Sequence, residues 1–314
     1  YIYKFVSDAK WDPADASPAN RLAAGDKYLD KGTLYVARFK DDGSGSWIEL
    51  SLNNPVIANS SYFEFKTAAD VAVFTRLAAD AVGATKMDRP EWAGVNPKNG
   101  EVYITLTNNS NRTVATADSA NPRVYTDMKA GKEQKGNVNG HIVRLAERQP
   151  QDGDFRWDIY LFAAEAGADR GRVNLSGLTD DNDLSSPDGL VFSQASGICW
   201  IETDDGAYTD KTNCMLLAAL PGRLGDGGEK TLTYGDKKVR THMGKEQTTA
   251  SFKRFLVGPK GAEITGICET PDGRALFINI QHPGENTKMA NIADPAKYES
   301  QWPANAGYGN GKRP

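Results

Sequence analysis

Glu91-Trp-Ala-Gly-Val-Asn-Pro-Lys-Asn-Gly-Glu-Val-Tyr-Ile-Thr-Leu-Thr-Asn108 reads as an acid, a short apolar strand, a glycine-marked turn and a second strand that ends in polar residues. The template returns as Asp188-Gly-Leu-Val-Phe-Ser-Gln-Ala-Ser-Gly-Ile-Cys-Trp-Ile-Glu-Thr-Asp204. It returns again as Glu263-Ile-Thr-Gly-Ile-Cys-Glu-Thr-Pro-Asp-Gly-Arg-Ala-Leu-Phe-Ile-Asn-Ile-Gln-His282. Three hairpins that each begin on a carboxylate predict an all-β chain built as a β-propeller, because equivalent positions of successive blades gather around one axis. Glu91, Asp188 and Glu263 are then expected to converge at the mouth of a central channel.

Outward from these hairpins, period-2 or continuously apolar runs bounded by Gly, Pro, Asn and Asp recur along the chain. His141–Ala146 and Trp157–Phe162 complete a four-stranded blade over 88–163. Cys214–Leu220 and Phe252–Val257 complete a second over 186–257. The third copy keeps only its inner pair, within 263–314, and the tail beyond His282 is turn-rich with no strand-like run. Ile2–Val6 and Thr33–Phe39 read as outer strands of a partial blade in 1–60. The tally predicts one propeller domain over 1–314 that forms an incomplete ring, roughly half of a closed one. A single helix insertion is expected at Ala68–Thr85, where Val71, Phe74, Leu77 and Ala78 fall at helical spacing and Thr67 is placed to cap the start. Polar insertions interrupt the blades at Thr107–Gly140 and Tyr208–Asn213, and Gly222–Thr249 is similarly rich in Gly, Lys and Asp; loops of this kind are site-building or disordered. The first leaves directly from Asn108, which favours site-building.

Composition excludes several classes. A net charge of −4 with scattered Lys and Arg provides no field for a nucleic-acid backbone. No apolar run approaches the ~20 residues that a membrane-spanning helix needs. Three cysteines, Cys199, Cys214 and Cys268, are too few for a disulfide scaffold and lack zinc-site spacing. Cys199 and Cys268 lie in apolar runs, where buried free thiols are expected. No Gly-x-Ser-x-Gly, phosphate loop or His-x-x-x-His pair is present, so serine-nucleophile and zinc hydrolysis lack support.

The chemistry-bearing set is therefore acidic. Glu91, Asp188 and Glu263 open the hairpins, and Asn108, Glu202, Asp204 and Gln281 stand at the ends of the adjacent strands. Converging carboxylates and amides without a balancing cluster of bases suit a hard cation with an oxygen-rich shell, such as calcium or high-valent iron. Taken singly, each acid equally fits a turn cap, as Asp-Gly commonly does. Arg89, in Asp88-Arg-Pro-Glu91, offers a planar fork for a phosphate, or a salt bridge to Asp88 or Glu91. His282 reads as a ligand or as a hydrogen-bonded structural residue. Asp204-Asp205-Gly206 matches part of a calcium loop without the full pattern.

At these residues the chain resembles the PhoX-type alkaline phosphatases. The resemblance rests on Met87-Asp-Arg-Pro-Glu91, Tyr103-Ile-Thr-Leu-Thr-Asn-Asn109, Asn121-Pro-Arg123, Asn139-Gly-His-Ile-Val-Arg144, Ser186-Pro-Asp-Gly-Leu190, Trp200-Ile-Glu-Thr-Asp204 and, above all, 263–285. It implies a six-bladed propeller whose iron and calcium ions hydrolyse phosphomonoesters, in a protein exported to the periplasm or secreted, and a monomer at full length. It implies Glu91, Asp204, Glu263 and Asp188 as metal ligands and Arg89 as a phosphate contact. Two positions depart from the family pattern, Glu202 where Gln is usual and Gly189 where Asn is usual. The family's amino-terminal half, with its thiolate ligand to iron, finds no counterpart here, so the chain is expected to be the carboxy-terminal half and inactive alone. The expected substrates are small-molecule phosphate esters. A catalytically silent calcium-binding propeller and a propeller lactonase are the other readings. Phosphatase is preferred because a lactonase has no need of the oxyanion clamp at Arg89.

Overall fold

Alternating apolar and polar residues interrupted every few positions by turn-forming residues leave little choice but short antiparallel strands. The computed structural model describes residues 1–16, 21–149 and 151–303, and the end of the turn-rich tail, 304–314, lies outside them. Its strands are β1 Tyr3–Ser7, β2 Gly32–Phe39, β3 Ser44–Glu49, β4 Pro90–Val95, β5 Val102–Leu106, β6 Tyr125–Lys129, β7 Lys132–Gly136, β8 His141–Ala146 and β9 Asp154–Phe162. There follow β10 Pro187–Phe192, β11 Cys199–Thr203, β12 Met215–Ala219, β13 Glu229–Tyr234, β14 Lys237–His242, β15 Phe252–Val257, β16 Glu263–Glu269 and β17 Leu276–Gln281. The chain divides into two compact units, 1–87 with 147–156, and 88–146 with 157–314.

In the first unit β1, β2 and β3 pair antiparallel in that order, and β3 pairs with the first residues of β9. Helices at Arg21–Leu29, Pro55–Ala58, Ala68–Val73 and Thr75–Ala81 accompany them. Val36, Ile57, Val71, Ala78 and Ala79 form the core. Thr67 caps the third helix in a reciprocal box with Asp70. The single helix expected over 68–85 is divided at Phe74, which has φ −100° and ψ 37°. The Thr75 hydroxyl bonds back to Ala72 O at 2.5 Å, a side-chain competition that interrupts helices. The short helices at 21–29 and 55–58 were not expected, and neither is long enough for its periodicity to stand out.

In the second unit β4, β5, β8 and the later part of β9 form one four-stranded blade, and β10, β11, β12 and β15 form another. β16 and β17 pair as a two-stranded third element, whose β16 lies against β10 and β11. The inner strands follow one another, with β10 between β4 and β16. Gly94 permits the approach of β4 to β10, since a Cβ there would lie 2.6 Å from a Leu190 methyl. Tyr103, Ile142, Tyr160, Leu190, Phe192, Ile201, Leu217 and Phe252 fill the space between the blades. This is an all-β propeller architecture.

The three hairpin turns are copies of one another. Asn96 N–H donates to Glu101 O, Ser193 N–H to Ile198 O and Thr270 N–H to Ala275 O. Gly100, Gly197 and Gly273 hold the turns at φ of 74°, 74° and 66°, where a side chain is strained. The stretches 107–140 and 222–249 contain ordered hairpins, β6–β7 and β13–β14, joined by Val124 N–H to Tyr234 Oη at 3.0 Å and Tyr234 Oη–H to Pro122 O at 2.7 Å. All three cysteines are free, but Cys268 is exposed, because alternation along β16 turns it away from Ile264 and Ile267.

Arg144 of β8 is fully buried and grips Asp158 through Nε at 2.9 Å and Nη2 at 2.6 Å, with Asp226 Oδ1 at 3.1 Å from Nη2. Removing one partner leaves a buried charge uncompensated. Arg144→Met should lower the unfolding free energy by roughly 3–5 kcal/mol in urea denaturation, whereas a loss under about 1 kcal/mol would show the pair to be dispensable.

Candidate active site

The acids owe their placement to a backbone device that recurs. Arg89 and Ser186 each precede a proline that starts an inner strand, and each holds a left-handed backbone, with φ of 51° and 54°. Thr107 N–H donates to Arg89 O and Asp204 N–H to Ser186 O, both at 3.1 Å, so each strained residue is tied to the end of the neighbouring strand. Such conformations cost about 1–3 kcal/mol each and persist where surrounding bonds over-determine them. A bulge follows in every hairpin, between Pro90 and Ala93, Pro187 and Leu190, and Ile264 and Gly266. Bulges re-aim side chains at strand ends. Glu91 and Asp188 lie inside theirs, while Glu263 pairs with Gln281 just ahead of its own.

Asp188 reports what surrounds it. Its pKa is pushed up to about 6, first by burial and then by the charges of Glu91, Asp204 and Glu263, with Arg89 acting in the opposite direction. Glu202, buried at 2% exposure, is raised to about 7 by burial and by Asp188. The Glu263 carboxyl is raised by burial and by Asp204, which approaches within hydrogen-bonding reach. Glu91, Asp188, Asp204, Glu202 and Glu263 thus share one electrostatic neighbourhood with Arg89.

The guanidinium of Arg89 is exposed, donating from Nη1 to Asn108 Oδ1 at 3.0 Å and standing 3.5 Å from Glu91. Asn108 donates in turn to Ser186 Oγ at 3.4 Å, so its amide links the strained residues that open β4 and β10. Asp88 faces inward instead, bonded by Arg112, Asn109 and Asn137 in a buried network that reaches His141. His282, itself at φ 37°, lies between Glu263 at 2.8 Å and Glu285 at 2.5 Å. Burial opposes its protonation, but the Glu263 hydrogen bond and both acidic charges raise its pKa overall. Gln281 donates to the other Glu263 oxygen at 3.3 Å.

Asp204, Glu263 and His282 line a cavity of ≈ 330 Å³ with Lys129, Asn213, Lys260 and Glu285. Lys129 comes from the β6–β7 hairpin and is held by Gly206 O and by Thr209 Oγ1 at 2.6 Å. Asp205 accepts the amides of Ala207 and Tyr208, so of the Asp204-Asp205 pair the second serves the turn. Ser186 and Lys129 were missed in the sequence. The signal for Ser186 was its match in register to Arg89, one residue before Pro and two before an acid. Lys129 has no local signal at all.

The donors that gather here are oxygens of hard character, and Glu202 Oε1 is buried without a partner. In kind they fit a hard cation such as calcium or ferric iron. Among the described residues, no group of three or more His, Cys, Asp or Glu side chains stands at metal-holding spacing.

Acids and one guanidinium therefore stand together at the openings of the inner strands of successive propeller blades. A family profile described as "Alkaline phosphatase PhoX" matches residues 1–284. Among solved structures, the chain is similar to "Pseudomonas fluorescens PhoX in complex with vanadate, a transition state analogue", with 36% sequence identity and a TM-score of 0.66 over 95% of this chain and 47% of that one. The chain therefore spans about half the length of that relative. No curated protein matches. This chain belongs to the PhoX alkaline phosphatase family.

A carboxyl whose pKa rises on folding contributes stability below its unfolded pKa and loses it as pH climbs through the folded value. Asp188 and Glu202 should therefore make the metal-free chain less stable between pH about 4 and pH about 7. Thermal denaturation across that range should show a decline that Asp188→Asn and Glu202→Gln each flatten. Curves parallel to wild type would detach these acids from the effect.

Proposed function

We propose that this chain supplies part of the active site of a metal-dependent phosphomonoesterase acting on small-molecule phosphate esters. The observation that carries the reading is a single exposed guanidinium, Arg89, held by Asn108 among five carboxylates. An anionic substrate has no reason to approach such a cluster unless cations offset it, and a guanidinium fork beside it suits a phosphoryl group. Family membership and the vanadate complex of the P. fluorescens relative support the same chemistry.

Glu91, Asp188, Asp204 and Glu263 would hold iron and calcium, with Glu202, Gln281 and His282 beside them. Those ions supply Lewis-acid neutralisation of the phosphoryl oxygens. Arg89 binds and orients two phosphoryl oxygens and offsets charge that grows on them in the transition state. Asn108 holds the guanidinium in line, and His282 keeps Glu263 oriented through its 2.8 Å contact. The full-length enzyme would be a periplasmic or secreted monomer.

In a protein spanning the relative's whole length, Arg89→Ala should lower turnover of p-nitrophenyl phosphate by about 10²–10³. It should also weaken vanadate inhibition while iron and calcium content stays near wild type. Arg89→Lys should recover little, because a point charge replaces a fork. Loss of metal in Arg89→Ala would move the residue into a structural role.

With about half of the relative's length covered, residues 1–314 alone should turn over p-nitrophenyl phosphate poorly in iron and calcium. Addition of a polypeptide corresponding to the remainder should restore activity. Full activity from residues 1–314 by themselves would overturn this part of the proposal.

A further inference from the structure

Arg89 holds its guanidinium against Asn108 from a backbone conformation that sterics oppose twice over. Its φ of 51° is left-handed, and the residue before a proline is pushed toward extended conformations. Such a turn persists only where its surroundings hold it, and the bonds lead to the fully buried Asp88. Asp88 Oδ1 accepts from Asn109 Nδ2 at 2.7 Å and from Arg112 Nε at 2.8 Å, with Arg112 Nη2 also at 2.8 Å. Its Oδ2 accepts from Asn137 Nδ2 at 3.0 Å, and its N–H donates to Asn121 Oδ1 at 3.1 Å. On the other side of the turn, Thr107 N–H donates to Arg89 O. Every one of these partners belongs to the polar stretch 107–140.

The network has one consistent set of donors and acceptors. Burial lowers the pKa of His141 to about 4, so the ring is neutral, and its Nε2 faces Ala120 O, which can only accept. Nδ1 is then an acceptor for the Asn137 amide, whose NH2 serves His141 and Asp88 while its oxygen takes Arg123 Nη2 at 3.0 Å. The second blade offers a comparison. Ser186 repeats the left-handed turn before proline, but uncharged Ser185 stands where Asp88 stands in the first. Of the two turns, only the one that carries a guanidinium has a carboxylate in the position before it.

We propose that Asp88 is the positioning residue for Arg89: through it the 107–140 stretch holds the strained turn that aims the guanidinium at the phosphoryl group. The inference rests on the reading of Arg89 as the phosphate contact. Without the carboxylate the turn relaxes toward the extended conformation favoured before proline, the guanidinium leaves Asn108, and the fork no longer meets two phosphoryl oxygens. Asp88 itself is sealed from the site and acts only through Arg89.

A double-mutant cycle in the protein spanning the relative's whole length separates positioning from mere anchoring of the insertion. Asp88→Asn should lower p-nitrophenyl phosphate turnover and weaken vanadate inhibition by about 10–100-fold, the cost of a slightly misplaced binding group. Iron and calcium content should stay near wild type. Added to Arg89→Ala, Asp88→Asn should cost little more, because both act through one guanidinium. Losses that multiply, or Asp88→Asn kinetics equal to wild type, overturn the proposal. Should Asp88→Asn fail to fold, Asn109→Ala removes one donor and keeps the carboxylate; it should weaken vanadate inhibition by a smaller factor, and no change there overturns the proposal. Hydrogen exchange gives a readout independent of kinetics. The Thr107 amide, bonded to Arg89 O, should exchange about tenfold faster or more in Asp88→Asn, while the Asp204 amide, bonded to Ser186 O, keeps its rate. If Arg89→Ala leaves vanadate inhibition unchanged, the phosphate-contact reading falls; Thr107 exchange equal in Asp88→Asn and wild type sinks the positioning role by itself.

Discussion

Like charges resist being gathered, and the arrangement of the second unit follows from gathering them. Five carboxylates share one neighbourhood, and burial first, then their mutual repulsion, raises the pKa values of Asp188, Glu202 and Glu263. Two features offset it in part. Arg89 provides one positive charge beside Glu91, and His282, whose pKa is raised by its acidic partners, stands between Glu263 and Glu285. On the proposed reading, the remaining repulsion would favour binding of cations, so electrostatic strain in the metal-free fold would serve the loaded enzyme.

Holding charges against repulsion requires a stiff frame. Each of the first two blades begins with a left-handed residue before proline, whose carbonyl is tied to the end of the adjacent strand. Thr105 and Thr107 of the first blade donate to the Asp188 and Pro187 carbonyls of the second, at 2.6 Å and 3.1 Å. The backbone that carries Asp188 is thus held by threonine hydroxyls of the first blade. Behind Arg89, the buried Asp88 network anchors the insertion that carries the β6–β7 hairpin. That hairpin delivers Lys129 to the cavity beside Asp204 and Glu263.

The polar insertions show how far local reading reaches. Their composition of Gly, Lys and Asp is compatible with disorder or with a site, and β-propensity within them is weak. What orders them is mutual: Tyr234 joins the two hairpins, and Lys237 donates to the carbonyls of Val114, Ala115 and Ala117. Those partners lie more than a hundred residues apart in sequence. No window of a dozen residues contains the information.

Sequence alone determined the hairpin template, the strands of both complete blades, the Thr67 cap and the acidic character of the mouth, because each is written in local period, turn chemistry or charge. Tertiary structure decided the rest. Whether Arg89 pairs with Asn108, Glu91 or Asp88 depended on which way its strained backbone turns. Glu202 and Gln281 both looked like strand-end donors, yet one is sealed against Gly189 and the other is exposed. Cys268 sits outward and Cys199 inward, although each directly follows an isoleucine. In each case period 2 offers two faces, and only the sheet packed against the strand chooses between them.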